Sequence, residues 1–189
     1  MEAYLSQYIN AQKDTLDSIP LEQVSALIDT FTKAWKDDRK IFVFGNGGSA
    51  ANASHFVTDL GKGASDVVHK PFRCLSVNDN TPWLTALGND YSFDQVFTRQ
   101  LVNLAEPGDL LFTMSVSGNS PNLVAAIEWG KKKGLYTIAL VGAKRGALAT
   151  LADCVIVINS EHYGRVEDAH MGICHMICYA FMEQQVIMD

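Results

Sequence analysis

The chain has 189 residues, enough to bury one sizeable core, and its 48% apolar and 19% charged composition is that of an ordinary globular protein. A formal net charge of −6 excludes broad nucleic-acid binding, which needs a basic footprint, but leaves room for a small anion held by backbone N–H groups. No apolar run reaches membrane-spanning length and MEAYLSQYINAQKD has no signal-peptide core, so a cytoplasmic location without membrane contact is expected.

Residues 1–38 read as helices. Tyr4, Tyr8 and Ile9 make a partial apolar face, Ser18-Ile-Pro-Leu-Glu looks like a helix start, and Leu21, Val24, Leu27, Ile28, Phe31, Ala34 and Trp35 follow helical spacing. These helices are expected to pack on a sheet or on a neighbouring subunit. From residue 40 the pattern alternates. KIFVFGNGG is an apolar run ending in glycine, and SAANASHFVTDLGKG reads as a helix stopping at Gly61 or Gly63. FRCLSV is a strand, TPWLTALGND a helix, and SFDQVFTRQLVNLA another helix closed by Pro107-Gly108. DLLFTMSV is a strand and SGNSPNLVAAIEWGKKKG a turn then a helix. LYTIALVG is a strand, GALATLA a short helix and CVIVIN a strand, and a last helix runs from near Tyr163–Glu167 to about Gln185.

Strands alternating with helices predict an α/β fold: three layers, doubly wound, around a mostly parallel five-stranded sheet, with the N-terminal helices added, in one domain over 1–189. Ligands of such sheets sit beyond the carboxyl ends of the strands, near the switch point. Two loops fall there.

The first is Gly45-Asn46-Gly47-Gly48-Ser49, joining a strand end to a helix start, where free N–H groups and the helix dipole favour an anion. It reads equally as a tight turn with Ser49 as N-cap. It matches neither G-x-G-x-x-G nor a P-loop, so a nucleotide is not expected. The second, SVSGNSPN, places Ser115, Ser117 and Ser120 around Gly118 and is suited to the acceptor oxygens of a phosphate monoester; a capped turn would need only one of those hydroxyls.

Among ionisable residues, His55 and Asp59 are four apart and share a helix face, a pairing able to bind a divalent metal but more often a surface contact. Glu167 and His175 are eight apart, about 12 Å on an ideal helix, too far to share an ion unless Glu167 sits at the helix entrance and bends toward it. His170 reads as structural or interfacial. His175, between Cys174 and Met176, also reads as a core histidine. Cys74, Cys154, Cys174 and Cys178 form neither a zinc-ribbon pattern nor a disulfide framework.

FGNGGSAANASHF together with SVSGNSPNLVAAIEWGKKKG resembles the SIS (sugar isomerase) domain family, and ALGNDYSFDQVFTRQ with the Arg165–His175 pattern resembles its phosphoheptose isomerase branch over the whole chain. The resemblance implies a flavodoxin-like SIS fold and one zinc ion per subunit at His55, Asp59, Glu167 and His175. It also implies sugar-phosphate contacts at Gly47, Gly48, Ser49, Asn89, Asp90, Ser115, Val116, Ser117, Ser120 and Glu167, with Asp59 as base, His175 as acid, and a homotetramer with sites at subunit interfaces. The chain departs from the family pattern at Asp59, where glutamate is usual, at Glu167, where glutamine is usual, and at Val116, where threonine is common. These departures keep open an isomerase of a different sugar phosphate. A non-catalytic SIS protein that binds a partner protein, as in replication-initiation factors, is the other alternative.

Overall fold

Along β1 (Lys40–Gly45) successive side chains enter two different cores. Ile41 and Val43 pack into one apolar cluster, Phe42 and Phe44 into the other. The same division runs along β3 (Leu110–Ser115) and β4 (Tyr136–Val141), which is why these strands read as continuous apolar runs. The computed structural model describes residues 1–68 and 70–183. In it β2 (Arg73–Ser76), β1, β3, β4 and β5 (Cys154–Val157) form a parallel sheet in the order β2-β1-β3-β4-β5. That order is the flavodoxin-like one, and its direction reverses between β1 and β3.

One face is covered by α2 (Leu21–Lys36), α3 (Gly48–Thr58) and α9 (Tyr163–Glu183). Phe31, Phe56 and Phe112 meet edge-to-face with ring centroids 5.3–5.7 Å apart, pinning α2 and α3 to β3. Over the other face lie α5 (Thr81–Asp90), α6 (Thr98–Leu104), α7 (Pro121–Lys132) and the short α8 (Leu148–Leu151). The first helix, α1 (Glu2–Asp17), packs on α9 rather than on the sheet: Tyr8 lies edge-on to His162, with the Arg165 guanidinium 5.3 Å from its ring. Of the two N-terminal helices, α2 thus packs on the sheet and α1 on α9 of its own chain.

Two boundaries differ from the sequence reading. Neither Gly61 nor Gly63 stops a helix: α3 passes into π-helical turns over Asp59–Ala64 and then α4 (Ser65–Val67). Glycine serves close approach there, since a Cβ on Gly61 would stand 2.9 Å from Cys74 Sγ. SFDQVFTRQLVNLA is not one helix but a 3₁₀ turn at Phe93–Gln95 followed by α6. The expected end of the last helix at Gln185 lies outside the described residues.

Candidate active site

Both loops lie at the carboxyl end of the sheet, on the neighbouring strands β1 and β3. After β1, the side chain of Asn78 prolongs the ladder: Gly45 N–H donates to Asn78 Oδ1 (3.1 Å), and Asn78 Nδ2 donates to the Gly45 carbonyl (2.9 Å). The chain then turns at Gly47, whose φ of +56° and ψ of −122° favour glycine, and α3 begins at Gly48. Gly47, not Ser49, is therefore the N-cap; Ser49 lies buried in the first turn. Gly47 and Gly48 are exposed, so the free N–H groups at the start of α3 are open to an anion.

In the second loop two serines do the turn's own work. Ser115 Oγ accepts from Gly118 N–H (3.1 Å) and Ser117 Oγ from Asn119 N–H (3.3 Å). Each hydroxyl keeps its own proton for a ligand oxygen. Ser120 is the N-cap of α7 and makes no side-chain cap bond. The Val116 side chain is buried in the α9-side core, which leaves its backbone as the part able to meet a ligand.

Sequence reasoning weighed the glycines and serines and missed the asparagines. Asn46 and Asn122 exchange two amide hydrogen bonds of 2.9 Å, joining the first loop to the start of α7. Asn122 is 2% exposed. The available signal was an asparagine beside each glycine-serine turn.

The ionisable residues converge. Asp59, first in the π-helical turns, places Oδ2 3.3 Å from His55 Nε2 and 3.6 Å from His175 Nε2. A π-turn within a helix is often found at functional sites. The His175 side chain is 43% exposed, so the core-histidine reading does not hold; burial falls instead on His170, Cys174 and Cys178. Burial pushes the His170 imidazole down to about 4 and keeps both thiols protonated.

Ligand atoms of His55, Asp59 and His175 all lie within 4.8 Å of one another. This set fits zinc: imidazole nitrogens and a carboxylate about 2.1 Å from one tetrahedral ion would be about 3.4 Å apart, and three protein ligands leave a position open. Glu167 stands elsewhere. Its carboxylate packs against Gly48, where an added Cβ would lie 2.4–2.5 Å from it, and its carbonyl accepts from Asn52 Nδ2 (2.9 Å). Partial burial, with Asp168 adding to it, raises the Glu167 carboxyl above its ordinary value.

Asn89 and Asp90, hydrogen-bonded to each other (2.9 Å), are exposed at the end of α5 and make no hydrogen bond to either loop among the described residues. Gly88, just before them, lines a cavity of about 290 Å³ shared with Gly45, Asn46 and Gly47. No described helix is long and apolar enough to cross a membrane.

The family profile of the SIS domain matches residues 6–142. The phosphoheptose isomerase of Sulfurimonas denitrificans is 39% identical over 170 residues, covering 89% of this chain and 84% of that protein. The structure of the phosphoheptose isomerase from Neisseria gonorrhoeae superposes with a TM-score of 0.83 at 30% identity, covering 95% of each chain. That from Francisella tularensis superposes with a TM-score of 0.85 at 26% identity, over 97% of this chain and 96% of the other. The profile match, the identity to curated relatives and the superposition over nearly the whole chain place it in the SIS domain family, within its phosphoheptose isomerase branch.

Proposed function

We propose that the protein is an aldose–ketose isomerase that converts sedoheptulose 7-phosphate to a manno-heptose 7-phosphate. The observation that carries this reading is Asp59 standing 3.3 Å and 3.6 Å from two imidazoles, at the end of the helix that starts in the anion-binding loop. A phosphate held by the two loops anchors one end of an open-chain sugar. The other end is then free to reach the carboxylate and His175.

The proton balance follows. Asp59 takes a proton from C1 of the ketose as His175 gives one to the C2 carbonyl oxygen, producing an enediol. Asp59 returns a proton to C2, the O1 proton passes back to His175, and the carbonyl now stands at C1. Nothing is oxidised or reduced overall. We assign one zinc ion per subunit to His55, Asp59 and His175; when bound it supplies Lewis-acid polarisation of the carbonyl and hydroxyl pair. Glu167, which faces Gly48, is assigned to the sugar side, and it adds to a metal site only across subunits. The departures at Asp59, Glu167 and Val116 are read as re-tuning of the site. Asp59 is one methylene shorter than glutamate, a withdrawal of about 1 Å that can cost about 100-fold in rate.

A cytoplasmic homotetramer built from one domain per chain, with Asn89 and Asp90 presented to a neighbour's substrate, completes the proposal. Its support is that both residues are exposed and, among the described residues, make no hydrogen bond to their own chain's loops. Incubating zinc-supplied protein with sedoheptulose 7-phosphate and following aldose formation tests the activity. Conversion that falls on chelation and returns with zinc is expected. No conversion of any heptulose or hexulose phosphate, with metal present, would favour a protein that binds without turnover.

A further inference from the structure

The anion cradle holds no cation of its own. It consists of glycines, serines and asparagines, and Glu167 brings a carboxylate to it. A phosphate monoester carries close to two negative charges at neutral pH, which neutral donors bind without cancelling. Resting on the isomerase reading above, we propose that Arg145 supplies the positive charge for the phosphoryl end of the substrate and so sets selectivity for phosphorylated sugars.

Arg145 lies between β4 and α8, at the carboxyl end of the sheet. Its loop is built onto the serine turn. A Cβ on Gly118 would stand 2.0 Å from the Arg145 carbonyl, and one on Gly146 would stand 2.5 Å and 2.6 Å from the carbonyls of Gly118 and Ser117. Leu148 N–H donates to the Gly118 carbonyl (2.9 Å) and Ala147 N–H to Asn119 Oδ1 (2.7 Å). The loop that carries the arginine therefore cannot move without the turn that carries Ser117.

Two features set this residue apart. Its backbone is left-handed, with φ of +62°, a conformation that glycine or asparagine holds with less strain. Strain of this kind collects at functional sites. Its guanidinium is exposed and makes no ion pair among the described residues, whereas the neighbouring Lys144 lies 3.6 Å from Glu161. A guanidinium offers a fork of N–H donors matched to two phosphate oxygens.

Titration calorimetry with inorganic phosphate on the intact protein, and with sedoheptulose 7-phosphate on the intact chain carrying Asp59→Asn to suppress conversion, reads binding apart from turnover. The variant is Arg145→Asn, which removes the charge and tolerates the left-handed backbone. The expected result is a Kd about tenfold weaker for both ligands, partly recovered in Arg145→Lys. Lys36→Asn removes a cation at the opposite end of the sheet and is expected to leave Kd unchanged. Equal Kd in the native chain and Arg145→Asn, or an equal loss in Lys36→Asn, overturns the proposal. If the native chain binds phosphate through Arg145 but converts no sugar phosphate, the isomerase reading fails and the cation assignment stands. No phosphate binding by the native chain overturns both.

Discussion

Asn46 and Asn122 exchange two amide hydrogen bonds of 2.9 Å across the switch point, locking together the two turns to which the proposed function assigns the phosphate. The pair sets the distance between the two sets of donors that the proposed function assigns to one phosphoryl group. Truncating Asn122 to alanine leaves the amide of Asn46 without its partner in a half-buried position. The expected cost is about 1–3 kcal/mol in urea unfolding. A rise in KM for the sugar phosphate larger than any fall in turnover should accompany it. An Asn122→Ala protein with native stability and native KM would show that the clamp does not set the cradle.

Two glycines separate positions where an added methyl disturbs a ligand site from positions where it disturbs the fold. At Gly48 the atoms nearest an added Cβ are those of the Glu167 carboxylate, the end of a side chain that can swing away. Gly48→Ala should therefore keep stability within about 1 kcal/mol, because alanine also suits a first helical turn. It should weaken sugar-phosphate turnover by displacing Glu167. At Gly118 the φ of +66° and the Arg145 carbonyl 2.0 Å from a Cβ leave no such escape, since both obstacles are backbone. Gly118→Ala should lose about 2–3 kcal/mol. Denaturant titration of the two variants side by side checks the contrast, and equal losses would refute it.

His170 gives the fold an acid limit. Burial pushes its imidazole down to about 4, below the ordinary value of 6.5. As pH falls below about 6.5 the unfolded chain gains a proton that the folded chain refuses, so stability falls, and the loss levels off near pH 4. The full shift corresponds to about 3 kcal/mol. His170→Leu should flatten this part of the pH profile in urea titrations between pH 7 and 4.5. A variant that keeps the native slope would place the acid sensitivity elsewhere.

The strands and layers were legible in the sequence because fully buried parallel strands such as Phe42–Phe44 announce themselves as apolar runs between glycine-marked turns, whereas the strand order is carried by no residue pattern and came only with the family resemblance. The helix after β1 was harder. The π-helical turns at Asp59–Ala64 arise from packing, with Gly61 pressed to Cys74, and helical periodicity carries no sign of them. That register is also what brings Asp59 to His175. The i,i+4 spacing of His55 and Asp59 was visible, but their meeting with a histidine on α9 depends on α3 and α9 packing on the same face. The amide clamp was invisible for another reason: asparagine beside glycine already has a sufficient explanation as a turn residue.

The central claim is that Asp59 moves a proton on a sugar held by its phosphate. NMR of sedoheptulose 7-phosphate conversion in deuterated buffer, with zinc supplied, tests it most directly. The account predicts solvent deuterium at C2 of the aldose formed by the native chain. It also predicts at least about a hundredfold slower exchange and conversion in Asp59→Asn, with phosphate still bound. Exchange and conversion at the native rate in Asp59→Asn would contradict it.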